Sequence, residues 1–227
     1  CVSTAQAAGV FVDSFSVNSE ETEPRGLTFN NDGTKMFVIG WTGDDVNEYT
    51  LSAGFDVSTS SFVDSFSITG TVPGGENDPR DVKFNSNGTK MFVLGRANDT
   101  VYEYTLSTGF DVSTASFVDS FDIDSEESAA TSLEFNTEGT KMFVLGQNGN
   151  DVNEYTLSTG FDISTASFVD SFDIEDEETN ANGLAFNRSG TRMFVTGHTG
   201  DDVNEYTLTT GFDVSTASFV DSFDISS

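Results

Sequence analysis

Three observations predict an all-β protein built from a repeated four-stranded unit. The segment Phe-Val-Asp-Ser-Phe occurs five times, starting at Phe11, Phe62, Phe117, Phe168 and Phe219, at steps of 51, 55, 51 and 51 residues. Between copies, short alternating or apolar runs are separated by Gly-, Asn- and Asp-rich turns. No segment carries the 3.6-residue apolar period of a helix over three turns. Self-similarity at this period marks a propeller, solenoid or array, and four short antiparallel strands per period form a propeller blade. The predicted fold is a β-propeller of four blades, about residues 25–68, 80–123, 131–174 and 182–225, in a single domain over 1–227. One extra outer strand is predicted at the N-terminus, over 11–17.

The third unit justifies each element in order. Thr131–Phe135 alternates polar and apolar residues, as a half-buried strand does. Asn136–Thr140 is a turn cluster in which Gly139 supplies positive φ. Lys141–Leu145 contains the continuous apolar run Met-Phe-Val-Leu expected of a strand covered on both faces. A polar loop over Gln147–Asn150 leads to Asp151–Leu157, which alternates again. The loop Ser158–Ser167 contains Gly160-Phe161-Asp162, and Phe168–Ile174 is the fourth strand. In the four equivalent loops, Phe55, Phe110, Phe161 and Phe212 are expected to plug the blade edge, and the Asp after each to cap the turn.

Asn-Asp-Gly-Thr-Lys-Met-Phe-Val-Ile-Gly (31–40), followed by Asp-Val-Asn-Glu-Tyr-Thr-Leu (45–51) and preceded by Pro24-Arg25-Gly26, resembles the YVTN-type propeller repeat. The resemblance recurs four times and covers nearly the whole chain. It implies that the Leu-Thr-Phe strand is innermost in each blade and Phe-Val-Asp-Ser-Phe outermost. Such repeats occur in surface-layer proteins and in lactonase-like enzymes, so the resemblance implies either setting.

Strand counting gives five outer strands for four blades. An uncovered Phe-rich edge strand is a liability. Phe11, Val12, Phe15 and Val17 are therefore expected to serve as an inter-subunit strand, through self-association into a homo-oligomer, to belong to a longer array, or to pack on the rim of the ring.

Acidic residues number 38 against 9 basic, a net charge of −29. This field repels nucleic acid and anionic lipid. No run of 18 apolar residues occurs, so no membrane span is predicted. Cys1 is the single cysteine and His198 the single histidine, which disfavours zinc chemistry. The copies diverge at the residue after the glycine that ends each second strand: Trp41, Arg96, Gln147 and His198. These four are the predicted ligand-binding face, suited to a glycan or protein ligand. The acidic linkers, with Glu20, Glu21, Glu126, Glu127, Asp176 and Glu177, offer hard oxygen donors for a possible Ca2+; no other cofactor is implied. No Gly-x-Ser-x-Gly elbow is present, and no catalytic residue is assigned. The function expected from sequence is a non-catalytic binding, adhesion or assembly module, extracellular or on a cell or virion surface. The alternatives are a filament or coat subunit linked through the spare strand, and a lactonase-like hydrolase with a metal in the central channel.

Overall fold

The computed structural model describes residues 11–225. It contains four sheets of four antiparallel strands, each in simple meander order. Blade 1 holds β1 (Pro24–Phe29), β2 (Lys35–Gly40), β3 (Asp45–Leu51) and β4 (Ser60–Ser67). Blade 2 holds β5 (Pro79–Phe84), β6 (Lys90–Gly95), β7 (Thr100–Leu106) and β8 (Ala115–Asp122). Blade 3 holds β9 (Ala130–Phe135), β10 (Lys141–Gly146), β11 (Asp151–Leu157) and β12 (Ala166–Asp173). Blade 4 holds β13 (Ala181–Phe186), β14 (Arg192–Gly197), β15 (Asp202–Leu208) and β16 (Ala217–Asp224). The predicted four-bladed propeller architecture is therefore present. The predicted extra strand is not: Phe11–Val17 joins no sheet.

The turn after each inner strand folds as its composition requires. Gly139 takes φ +68°, and the Phe161 ring lies where a Cβ would project, so any larger residue would be both strained and blocked. Phe161 itself is at φ +58°, as are its equivalents Phe55, Phe110 and Phe212 at 57–61°. A bulky residue in this region is uncommon, and here it turns the ring onto the glycine and into the seam between blades. The Asp residues cap less uniformly than predicted. Asp56 accepts from the Ser58 N–H at 3.1 Å, whereas Asp111, Asp162 and Asp213 accept from the hydroxyls of Ser113, Ser164 and Ser215 at 2.6 Å.

Three apolar seams join successive blades. In the first, Phe37, Ile39, Val46 and Ile68 of blade 1 pack on Val82, Met91, Val93, Tyr104 and Leu106 of blade 2, all buried. Three rings lock each seam. Phe37 lies 4.4 Å from Phe84 and 6.2 Å from Phe110, and the triads Phe92–Phe135–Phe161 and Phe143–Phe186–Phe212 repeat this geometry.

A charged latch runs beside each triad. The Lys35 ammonium donates to Glu48 at 2.6 Å and to the Phe110 carbonyl of the next blade at 2.6 Å. The other oxygen of Glu48 accepts from the Val112 N–H at 3.0 Å. Lys90–Glu103 reaches Phe161 and Ile163 in the same way, and Lys141–Glu154 reaches Phe212 and Val214. Each glutamate is buried, so both of its oxygens must be satisfied.

Blade 1 has no preceding blade to pack on. Instead Phe15 meets Tyr49 edge-on at 5.6 Å and, with Val17, covers Met36, Val38 and Leu51. The contact copies Phe66 on Tyr104 at 5.3 Å in the first seam.

Replacing Glu103 by Ala strands the Lys90 ammonium and the Ile163 N–H. Breaking one side of a buried pair costs about 3 kcal/mol or more. Urea unfolding of E103A should show a loss of that order, while T105A, at an exposed position of the same strand, should change stability by under about 0.5 kcal/mol.

Candidate functional site: the central channel

Each inner strand begins with a β-bulge. Pro24 pairs with Gly40 and Gly26 with Ile39, leaving Arg25 as the extra residue. Arg80, Thr131 and Asn182 are the extra residues in the other three blades. A bulge re-aims the side chain it carries, and these four side chains line one cavity of about 390 Å³ at the channel mouth, together with His198 and Asp201.

Below the mouth, a smaller cavity of about 180 Å³ shares Arg25, Thr131 and Asn182 and adds Asp81, Lys83 and Ser132. Lys83 also lines a third cavity of about 290 Å³ at the far end, with Glu134 and a ring of phenylalanines. The three cavities thus follow the inner strands from one face to the other.

The floor of the site is an ionic row. The Lys83 ammonium lies 2.9 Å from Glu134 and 3.4 Å from Asp81. Asp81 is buried and fully engaged: one oxygen accepts from the Val82 N–H at 2.8 Å, the other from the Ser132 hydroxyl at 3.0 Å and the Leu133 N–H at 2.9 Å. Burial lifts the Glu134 carboxyl above the ordinary range, with the Lys83 charge opposing. Burial alone would lower Lys83, but the carboxylates of Asp81 and Glu134 outweigh it and raise its affinity for its proton. Lys83 is therefore a fixed positive charge.

The mouth is also basic. Arg80 donates to Asp78 at 2.7 Å, while its buried Nε–H has no partner among the described residues. Arg25 bonds Glu23 at 3.3 Å and lies 6.0 Å from the Trp41 ring. Of nine basic residues in the chain, four (Lys35, Lys90, Lys141 and Arg192) pair with a glutamate on the third strand of their own blade. Arg25, Arg80 and Lys83 are grouped in the channel, with Arg96 beside it.

The structure brings the predicted ligand-face residues together in part. Arg96 contacts Gln147 at 3.5 Å, and Gln147 donates to Asn180 at 2.6 Å and to Asn182 at 3.2 Å, so this pair leads to the mouth. His198 lines the mouth cavity directly. Trp41 is half exposed and reaches it only through Arg25. Sequence comparison missed Arg25, Arg80 and Asp81. The repeated Pro-Arg at 24–25 and 79–80 was the available signal, but its pairing register was not visible.

Among the acidic linker residues, Glu21 and Glu127 point inward. Glu21 accepts from the N–H groups of Glu23, Thr42 and Gly43 at 2.6–3.3 Å, and Glu127 does the same for Ala129, Asn148 and Gly149 at 2.5–3.3 Å. Glu20 and Glu126 bond Ser19 and Ser125. Among the described residues, no group of three or more His, Cys, Asp or Glu side chains is arranged to hold a metal ion. The channel does not fit one either, because the Lys83 ammonium stands between Asp81 and Glu134, where a divalent cation would have to lie.

No family model and no curated protein matches the chain. Solved structures do match its fold. A candidate 6-phosphogluconolactonase of Bacteroides fragilis superposes with a TM-score of 0.61 at 13% identity, covering 95% of this chain and 59% of that one. Its counterpart from Bacteroides uniformis gives 0.59 at 12% identity, covering 87% and 55%. The periplasmic gluconolactonase PpgL of Pseudomonas aeruginosa gives 0.54 at 14% identity, covering 88% and 53%. The chain thus spans little more than half the length of these proteins. At such identities the likeness shows the propeller fold. It also corrects the expectation of a non-catalytic adhesion or assembly module, since these neighbours are named as lactonases. The expectation rested on the lack of a catalytic motif in the sequence, whereas the basic mouth is built on bulges, whose register the sequence does not display. Among the described residues, no helix is long and apolar enough to cross a membrane.

Burial is the first cause of raised carboxyl affinity at Asp44, Asp45, Asp99, Glu134, Asp151 and Glu177. The folded state therefore keeps protons that the unfolded chain releases. Stability must fall as pH rises through the window above the ordinary carboxylate value. The melting temperature should be higher at about pH 5 than at about pH 8, and E134Q should reduce that difference; a melting temperature that rises with pH would refute the assignment.

Proposed function

We propose that this chain is a lactonase-like hydrolase acting on the lactone of an anionic sugar acid at the mouth of its channel. The observation that carries this reading is the placing of Arg25 and Arg80 in the mouth cavity, with Lys83 in the smaller cavity below that shares Arg25, in a protein with net charge −29. Steering by the surface as a whole would repel an anion, so a basic mouth in an acidic shell is a local receptor. The Arg80 guanidinium at the mouth suits a phosphate or carboxylate oxygen. The likeness to proteins named as 6-phosphogluconolactonases and to a gluconolactonase supports the reaction class. The YVTN-like repeat supports it too. The periplasmic neighbour is consistent with a location outside the cytoplasm.

In lactone hydrolysis, water adds to the ring carbonyl carbon, the ring C–O bond breaks, and the ring oxygen leaves as a hydroxyl carrying the proton taken from that water. Arg25 and Arg80 would hold the anionic substituent. His198 would take the proton from water and return it to the ring oxygen, the role for which an imidazole is suited near neutral pH. Lys83 would stabilise the negative charge that develops on the carbonyl oxygen.

The test is proton release in a pH-stat with 6-phosphogluconolactone and with unphosphorylated gluconolactone. H198Q should lower kcat about 100-fold. The R25A/R80A variant should raise KM for the phosphorylated substrate about tenfold or more and leave the unphosphorylated one little changed. Folded protein that hydrolyses neither lactone above the spontaneous rate would defeat the reading.

A further inference from the structure

Blade 4 ends in a face built to enter a fourth seam, and blade 1 begins with the face that receives it. In the three seams, Ile68, Ile123 and Ile174 are fully buried, while Ile225, the equivalent in blade 4, is 52% exposed. Phe223 is 45% exposed, whereas its counterparts Phe66, Phe121 and Phe172 pack into seams. On blade 1, Leu27 is 53% exposed, but its counterparts Val82, Leu133 and Leu184 are buried.

The specific groups are also divided between the two faces. Phe29 and Phe55 lie 5.5 Å apart, as two rings of a triad without the third. The missing position is that of Phe194 on blade 4. The Arg192–Glu205 pair occupies the latch position, and Phe55 and Val57 hold the backbone carbonyl and N–H that such a latch engages in the other seams. Blade 1 adds an apolar groove of about 340 Å³ lined by Leu27, Met36, Val38 and Val57, where the preceding blade's Phe and Val sit elsewhere in the fold.

We propose that the open face of blade 4 docks on blade 1 of a second copy of this chain. The same surface pair is already used three times within one chain, so the complementarity in apolar shape, ring geometry and charge is established by the internal seams. This is a head-to-tail contact, which closes when the rotation per copy permits.

The N-terminal segment competes for the seat. Phe15 and Val17 lie on blade 1 as Phe66 and Ile68 lie on blade 2, so they hold the place that Phe223 and Ile225 of the incoming copy require. The segment is a stand-in that shields the edge until it is displaced.

Sedimentation equilibrium on the full chain should give twice the mass of one chain as concentration rises. I225D and L27D alter exposed side chains, so folding is retained, which circular dichroism checks. Each should weaken association about tenfold or more. Mixing the two variants should restore a two-copy species, because one intact seam forms between an unaltered blade 4 and an unaltered blade 1. A chain lacking residues 1–17 should associate more tightly than the full chain. A wild-type protein that stays monomeric at its highest soluble concentration, whether because blade 4 closes on blade 1 of its own chain or because the faces stay bare, would overturn the proposal. So would loss of association on removing residues 1–17.

Discussion

The seam between blades is the contact on which the rest of this structure depends. A single blade is a four-stranded sheet with two apolar faces, and it cannot bury both alone. The seam solves this with a set of groups repeated in register: an apolar interlock, a triad of phenylalanines, and a buried Glu whose two oxygens serve a basic side chain of its own blade and a backbone N–H of the next. The latch fixes orientation, because the glutamate must find its N–H or remain buried and unsatisfied. The left-handed Phe at each loop joins the two, presenting its ring to the triad and its carbonyl to the ammonium.

Holding four blades at fixed angles is what makes a channel. The inner strands then lie close enough for Asp81 of one blade to accept from Ser132 and Leu133 of the next, and for Lys83 to bridge to Glu134. No blade contains this row; it exists only between blades. The basic mouth has the same origin, with one bulged residue from each inner strand converging on the axis. An acidic surface that repels anions and a basic well that binds them can coexist, because the well's charges are few, enclosed and paired at close range, while the surface field is screened within about 10 Å.

The repeat also accounts for the unequal ends of the arc. Repeated units bury their faces against neighbours, and the outermost units lack one neighbour each. On one side the chain supplies its own partial cover through Phe15 and Val17; on the other, Phe223 and Ile225 are left in solvent. Surplus Phe-Val-Asp-Ser-Phe in the sequence therefore does not add a strand. It imitates the part of an absent blade that touches the next one.

The sequence by itself determined the blade: the 51-residue period, the four strands, the turns and the sameness of the seam positions, since each depends on local pattern and on contacts repeated at a fixed spacing. It also marked His198 and Gln147 as divergent positions that prove to lie at or next to the mouth. Only the tertiary structure decided which charges meet. Arg25 and Arg80 each follow a proline in the sequence, and only bulge register aims them at the axis; Lys83 and Glu134 are 51 residues apart in the chain and meet at 2.9 Å only because adjacent blades pack. Register shifts by one residue and approaches between repeats leave no periodic trace, so a pattern read along one chain cannot contain them.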